Sequence, residues 1–302
     1  MSLTGLLGEK GSPLRAAFRQ WLPYTPRFIT ELNREVAAVA PLIGTSLDPG
    51  LSGSAIDFRL RYYFGVQPLE NTVAWHGAEL MAEALVEDEI ETEADPVKVI
   101  TEVGSRLLRF RTVGRALPEE AERDFTRLCV VLAYFEQFAR SGLSVLFDAL
   151  AGGRVRSLDD VLVLPQEEVV ADVITMSQAF LKAQYPQLVA RNVILNPVFT
   201  GSGDVGGADA DIIAGDSLIE FKSTAKARPF DGEDVYQLLS YPCLDYEEEY
   251  EIRRVGFSLV RRNFLREWDI SQLVAVLSRD ELTYTDLRRL FRSHLKDRRR
   301  KR

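Results

Sequence analysis

Asp209, Asp211, Glu220 and Lys222 are the residues of this chain whose types and spacing point to chemistry; they lie in the stretch GGADADIIAGDSLIEFKST, residues 206–224. Carboxylate oxygens are the hard donors that Mg²⁺ prefers. A divalent cation held there makes water a better nucleophile, and a nearby lysine can orient or deprotonate that water. The same residues also fit a plain hairpin with charges on its wet face, because a lone Asp…Glu-x-Lys is a weak signal.

The elements that must position these side chains can be read from the surrounding residues. The apolar runs ADII and LIEF flank Ala214-Gly215-Asp216-Ser217, which is hairpin chemistry. Strand side chains alternate, so Glu220 and Lys222 share one face of the second strand and Asp209 and Asp211 share one face of the first. Counting back across the turn pairs Ile213 with Leu218 and Asp211 with Glu220, and sets Asp209 opposite Lys222. Asp211 is expected in the body of its strand. Two carboxylates directly opposite repel unless a cation lies between them.

The elements on either side follow from periodicity. Residues 166–184 read as a helix, with Val169, Val173, Met176 and Phe180 at helical spacing. Residues 192–199 read as a strand, with Pro197 marking an edge or bulge. A second helix is expected over 231–247 and a further strand over 254–261. The order is αβββαβ, an α/β sheet with helices to cover it. On the 231–247 helix, Gln237 and Tyr241 stand at i, i+4 on one face, either in contact with the site or as a polar-aromatic pair at a helix surface.

The first half is expected to be largely α-helical. Pro13, Pro23, Pro26 and Pro41 interrupt its opening, with a helix over 30–39. In residues 53–65, Ser54 is expected as a cap, with Ile56, Leu60 and Tyr63 on one face. Arg59 and Arg61 there either reach phosphate or join a surface pair such as Asp57–Arg61. Residues 119–139 form the strongest helix, with Leu128, Leu132, Phe135 and Phe138 as its stripe and Gly142 as its stop. Glu136 either pairs with Arg140 or faces the site. The acidic run 87–95 reads as a solvated linker. Gly152-Gly153 and the polar stretch beyond mark a boundary, giving a helical region 1–164 and a core 165–302 that ends in a basic helical tail.

Composition narrows the class. With 302 residues, 46% hydrophobic and 27% charged, the chain has a soluble globular make-up and length for one large or two modest domains. A formal net charge of -8 argues against a general nucleic-acid coat but leaves room for a local basic groove. Cys129 and Cys243 lack pairing or metal spacing and read as buried thiols in a reducing compartment. No secretory leader and no membrane span are expected, so the expected location is cytoplasmic. His76 and His294 have no partner at zinc-ligand spacing. No phosphate-binding G-x-x-x-x-G-K-[ST] loop occurs, so any motor would be a separate subunit.

Taken together, GGADAD at 206–211, EFK at 220–222 and QLLSY at 237–241, in that order on those elements, resemble the PD-(D/E)XK nuclease superfamily and most closely its RecB-like branch. The resemblance covers about residues 165–262 and implies a restriction-endonuclease-like core. It implies that Asp211 and Glu220 hold a divalent metal, Mg²⁺ or Mn²⁺, with the backbone carbonyl of Phe221. Asp209 is a further metal-ligand candidate. Lys222 would position the attacking water and stabilise charge on the phosphate, and Gln237 and Tyr241 would contact the site or the strand. A further acidic ligand often comes from the first core helix, where Asp172 and Glu168 are candidates. The upstream histidine of RecB-like enzymes has no clear counterpart, His76 being distant in sequence. The proline that usually precedes the aspartate is absent.

The expected function is a metal-dependent DNA nuclease that hydrolyses phosphodiesters, in DNA repair or anti-phage (antiviral) defence, alone or with a helicase in trans. Arg253, Arg254, Arg261, Arg262, Arg266 and the tail KDRRRKR are expected to line the groove. The rival is a non-catalytic DNA-binding or scaffolding module on a nuclease fold.

Overall fold

In a computed structural model, which describes residues 2–42, 48–66, 68–110 and 112–300, the chain is a mixed α/β protein in two compact units. Met1–Pro41 and Leu188–Arg302 form one, and Leu42–Gln187 the other. The boundary expected at 164/165 falls inside the second unit, and the opening helices belong to the unit that contains the sheet.

The chain opens with helices Leu3–Gly8 (α1), Pro13–Trp21 (α2) and Thr25–Ala37 (α3). Of the prolines read as interruptions, two stand in first turns, Pro13 as the first residue of α2 and Pro26 as the second of α3, where a missing N–H costs nothing; Pro23 and Pro41 lie outside the helices.

The helical unit contains Pro49–Phe64 (α4), Val73–Glu87 (α5), Pro96–Leu107 (α6), Glu119–Ser141 (α7), Val145–Ala151 (α8), Leu158–Val161 (α9), Glu167–Ala183 (α10) and the start of Tyr185–Val189 (α11). The cap of α4 is Asp48, whose Oδ1 accepts the Leu51 N–H at 2.9 Å; Ser54 lies within the helix and donates to Glu136 at 3.3 Å. Residues Leu128 to Phe135 are all buried, so α7 is apolar all round at that level and forms the centre of the unit. Gly142 ends it at φ +70°. Helix α10 packs on α4 and α7: Phe180 stacks on Tyr63 at 6.4 Å, and Ser177 donates to Glu122 at 3.5 Å.

In the other unit, strands Val193–Leu195 (β1), Ile212–Ala214 (β2), Ser217–Lys222 (β3), Arg254–Leu259 (β4) and Phe264–Asp269 (β5) form one sheet in the order β1-β2-β3-β4-β5. Pairing is antiparallel except between β3 and β4. Helix Gly232–Leu244 (α12) makes the crossover between those parallel strands, and Ile270–Ser278 (α13) and Tyr284–Arg300 (α14) follow. Gly215, at φ +63°, takes the first of the two loop positions between Ala214 and Ser217, where a tight hairpin favours glycine. The expected pairing of Ile213 with Leu218 is present. Strand β1 is shorter than the expected 192–199, since Asn196 turns the chain at φ +45°.

Strand β5 was not expected. Its sequence, FLREWD, carries charges on an edge strand, and a β-carbon on Gly256 would stand 2.5 Å from the Arg266 carbonyl. The glycine thus lets β5 close on β4. The core unites Ile213, Leu218, Val255 and Phe257 of the sheet with Leu238 and Leu239 of α12, Leu3 and Leu7 of α1, and Leu287 and Phe291 of α14. Arg288 and Arg292 of α14 donate to the carbonyls of Asp245 and Tyr246 just beyond α12, at 2.9 and 2.7 Å, a favourable place for cations. The basic end expected as a tail is helical as far as Arg300; residues 301–302 lie outside the described residues. No described helix is long and apolar enough to cross a membrane.

Candidate active site

The GGADAD segment enters the site from a loop with three anchors. The Leu3 N–H donates to the Gly207 carbonyl at 2.9 Å. Ser202 Oγ donates to the Ala208 carbonyl at 2.8 Å. The Asn196 N–H donates to the Asp211 carbonyl at 3.2 Å. Alternation then sorts the side chains: Ala208 and Ala210 are buried in the core, whereas Asp209 is exposed and Asp211 half-buried.

Asp211 stands one residue before β2, not in its body. Its Oδ2 accepts the Phe221 N–H at 2.6 Å, so the side chain continues the link between the strands where the backbone ladder stops. Glu220 is buried and shares the Leu218 face of β3 with Lys222. Its Oε1 atom is shielded from solvent, and the carboxylate acts electrostatically on Lys222 and Tyr241.

Lys222 Nζ lies 2.8 Å from Asp234 Oδ1 on the first turn of α12, a partner that was not expected beside Asp209. Asp234 also uses its other oxygen. Its Oδ2 accepts the Asp231 N–H at 2.9 Å, closing the capping box of that helix. One carboxylate therefore fixes both the start of α12 and the lysine. Burial acts to lower the Lys222 pKa, but Asp234, Glu220 and Asp211 outweigh it and hold the ammonium above its ordinary value. These neighbours favour the ammonium form of Lys222.

On α12, Gln237 Nε2 donates to Tyr241 Oη at 2.6 Å. Tyr241 is buried against Phe199, with ring centroids 5.7 Å apart. Burial first, then the negative charges of Glu220, Asp211 and Asp209, push its phenol well above the usual tyrosine range. The structure thus gathers Asp209, Asp211, Glu220, Lys222, Gln237 and Tyr241 around one end of the β2–β3 hairpin. Asp234 is the member that sequence reading missed. The signal was its spacing: Asp234, Gln237 and Tyr241 fall at i, i+3 and i+7 on one face of a helix.

Other candidate residues have the following local surroundings. In the helical unit, Glu136 is held by Arg140 at 2.7 Å, and His76 is exposed 3.7 Å from Glu79. Asp172 is buried and Glu168 exposed in that same unit. Arg59 is not a surface cation: it is buried in a two-pronged pair with Glu122 at 2.7 and 2.8 Å, while Arg61 pairs with Asp57. Arg261 and Arg262 are also buried and donate to backbone carbonyls, so they are not groove-lining side chains. Arg254 lies 3.7 Å from Glu267, and Arg266 lies 3.9 Å from Glu35. Cys129 and Cys243 are buried free thiols, as expected.

Among the described residues, no group of three or more His, Cys, Asp or Glu side chains could hold a metal ion. The donors that meet at the hairpin are hard oxygens, Asp211 and Glu220 with the neighbouring backbone. One or two carboxylates are what Mg²⁺ uses while keeping several waters, so the donor chemistry fits such an ion. No protein-family model matches the chain, and neither does any curated protein or solved structure.

Proposed function

We propose that this chain is a divalent-metal-dependent deoxyribonuclease of the PD-(D/E)XK type, built on a restriction-endonuclease-like core. The observation that carries this reading is the cluster itself. A carboxylate just before β2, a second on β3 and an ammonium two residues on converge beside one face of α12. The order of elements also supports it. From α10 to β4 the chain runs helix, three antiparallel strands, helix and a strand parallel to the third, with the short α11 and a single 3-10 turn at Ser202–Val205 interposed.

Asp211 and Glu220, with the Phe221 carbonyl, are the residues that would hold Mg²⁺ or Mn²⁺, and Asp209 is a further carboxylate at the rim. A cation bound there supplies Lewis acidity, making water a better nucleophile and neutralising charge on the phosphate. Lys222 faces the scissile phosphate as an ammonium and stabilises the charge that builds on it. Asp234 keeps that ammonium aimed. Gln237 commits one amide hydrogen to Tyr241 and keeps the other for the strand.

The test is incubation of the purified full chain with end-labelled linear, circular and single-stranded DNA in Mg²⁺, in Mn²⁺ and in EDTA. Cleavage of at least one substrate, only with metal, is expected. Intact substrates with both metals would overturn the reading and leave the non-catalytic DNA-binding module in its place. Work in DNA repair or anti-phage defence, and partnership with a helicase, rest on the resemblance alone.

A further inference from the structure

The segment that leaves β3 directly after Lys222, residues 223–229, has no helix or strand of its own, yet it is fastened at both ends. At its start, Arg261 Nε donates to the Ser223 carbonyl at 2.9 Å. Arg262 Nη2 donates to the carbonyls of Ala225 and Lys226 at 3.0 and 3.1 Å, and its Nη1 donates to the Val39 carbonyl. At its far end Asn33 clasps Phe230 reciprocally, donating to its carbonyl at 2.9 Å and accepting its N–H at 3.1 Å. Phe230 also packs on Phe257 with ring centroids 4.5 Å apart. Arg261 and Arg262 are 4% and 5% exposed. Burying two guanidinium groups is costly unless their donors are satisfied, and here Arg261 Nε and Arg262 Nη2 are spent on holding the backbone of one loop, while Arg262 Nε is buried without a hydrogen bond among the described residues.

The loop presents two cations. Lys226 and Arg228 are exposed, and neither side chain is in an ion pair among the described residues. They contrast with a chain whose net charge is -8 and stand within a few residues of Lys222. A fixed strap that carries unneutralised cations away from a phosphate-directed lysine matches a polyanion with regularly spaced charges.

We infer that residues 223–229 form a backbone-binding strap for the nucleic-acid strand engaged at Lys222, with Lys226 and Arg228 contacting its phosphates and Arg261 and Arg262 as positioning residues. The path of the strand rests on the nuclease reading; the binding itself does not. The test compares the full chain with Lys226→Ala/Arg228→Ala and with the charge-keeping Lys226→Arg/Arg228→Lys. Both substituted positions are on the surface and outside the core. Binding to a fluorescein-labelled oligonucleotide, single-stranded and as duplex, is followed by anisotropy in EDTA over a salt series. The alanine variant is expected to bind about tenfold more weakly, with a log K against log salt slope shallower by about 1.5, two contacts at roughly 0.7–0.9 each. The charge-keeping variant should retain the slope. Identical affinity and slope for the alanine variant, or no binding of either oligonucleotide by the unmodified chain, would overturn the strap. Strap-dependent binding without metal-dependent cleavage would remove the nuclease reading and leave the strap standing.

Discussion

Two clusters of charge sit in the two units, and they are built to opposite designs. In the helical unit, Arg59 and Glu122 are 0% and 1% exposed. They meet through two hydrogen bonds, with the Tyr63 ring 4.0 Å from the guanidinium. The pair is one cation against one anion, closed off by aromatic rings. In the sheet unit, Lys222 and Asp234 are 27% and 17% exposed, and Glu220 and Asp211 add negative charge to the same ammonium. That cluster has a surplus of carboxylate and access to solvent. A balanced, sealed pair organises a fold. An unbalanced, partly open one is the arrangement in which perturbed groups gather at functional sites, and under the proposed function it takes a cation or a phosphate.

Substitutions on each side of this contrast should separate activity from stability. The largest effect is expected at Lys222. Lys222→Ala should lower cleavage by about 10²–10⁴ while the melting temperature moves little, read as single-turnover rates beside a thermal melt. Wild-type turnover by the pure variant would remove the lysine from the chemistry. Arg59→Met should do the reverse. Leaving Glu122 buried and alone should cost about 3–5 kcal/mol by urea unfolding, with the site untouched. Arg59→Met/Glu122→Leu should recover most of the loss, and a double variant as unstable as the single would contradict the sealed-pair reading.

A smaller effect is expected from a third charged group that has structure but no surplus. Glu267 reaches across Gly256 to a two-pronged bond with Arg191 at 2.8 and 3.1 Å. Burial acts to raise its pKa, but hydrogen bonds from Arg191 and Ser217 and the charges of Arg191 and Arg254 hold it below the ordinary glutamate value. A depressed folded pKa stabilises the fold fully above the unfolded-chain value, and the contribution is lost as pH falls through the folded one. Glu267→Gln should therefore cost about 1.5–3 kcal/mol at neutral pH and progressively less in acid. A penalty independent of pH would show that packing, not charge, is what the residue supplies.

What the sequence disclosed follows the range over which each signal acts. The Gly215 hairpin and its register were legible because turn chemistry and strand alternation are local. The existence of α7 was legible too, though from Leu128 to Phe135 it is buried all round where one apolar stripe was expected. Strand β5 was hidden by its charges, because Glu267 reads as solvated until Arg191, far away in sequence, is brought to it. Arg59, Arg261 and Arg262 were misread for the same reason: an arginine looks like a surface group until its buried acceptors are known. The docking of α1 against α12 rests on long-range packing of Leu3 and Leu7 that no periodicity reveals. Asp234 was hidden in plain view, as a helix cap whose second carboxylate oxygen is turned to other use.

The central claim is that Asp211 and Glu220 form a metal-binding pair serving phosphodiester cleavage. Calorimetric titration of Mn²⁺ into the unmodified chain, Asp211→Asn and Asp209→Asn, with cleavage assayed on the same preparations, tests it most directly. Asp211 is tied to the Phe221 amide beside Glu220, whereas Asp209 is exposed and bridges to Val198. The expected result is that Asp211→Asn loses both the binding heat and the cleavage, while Asp209→Asn weakens activity but still binds Mn²⁺. Undiminished Mn²⁺ binding and cleavage by Asp211→Asn, or no Mn²⁺ binding by the unmodified chain, would contradict it.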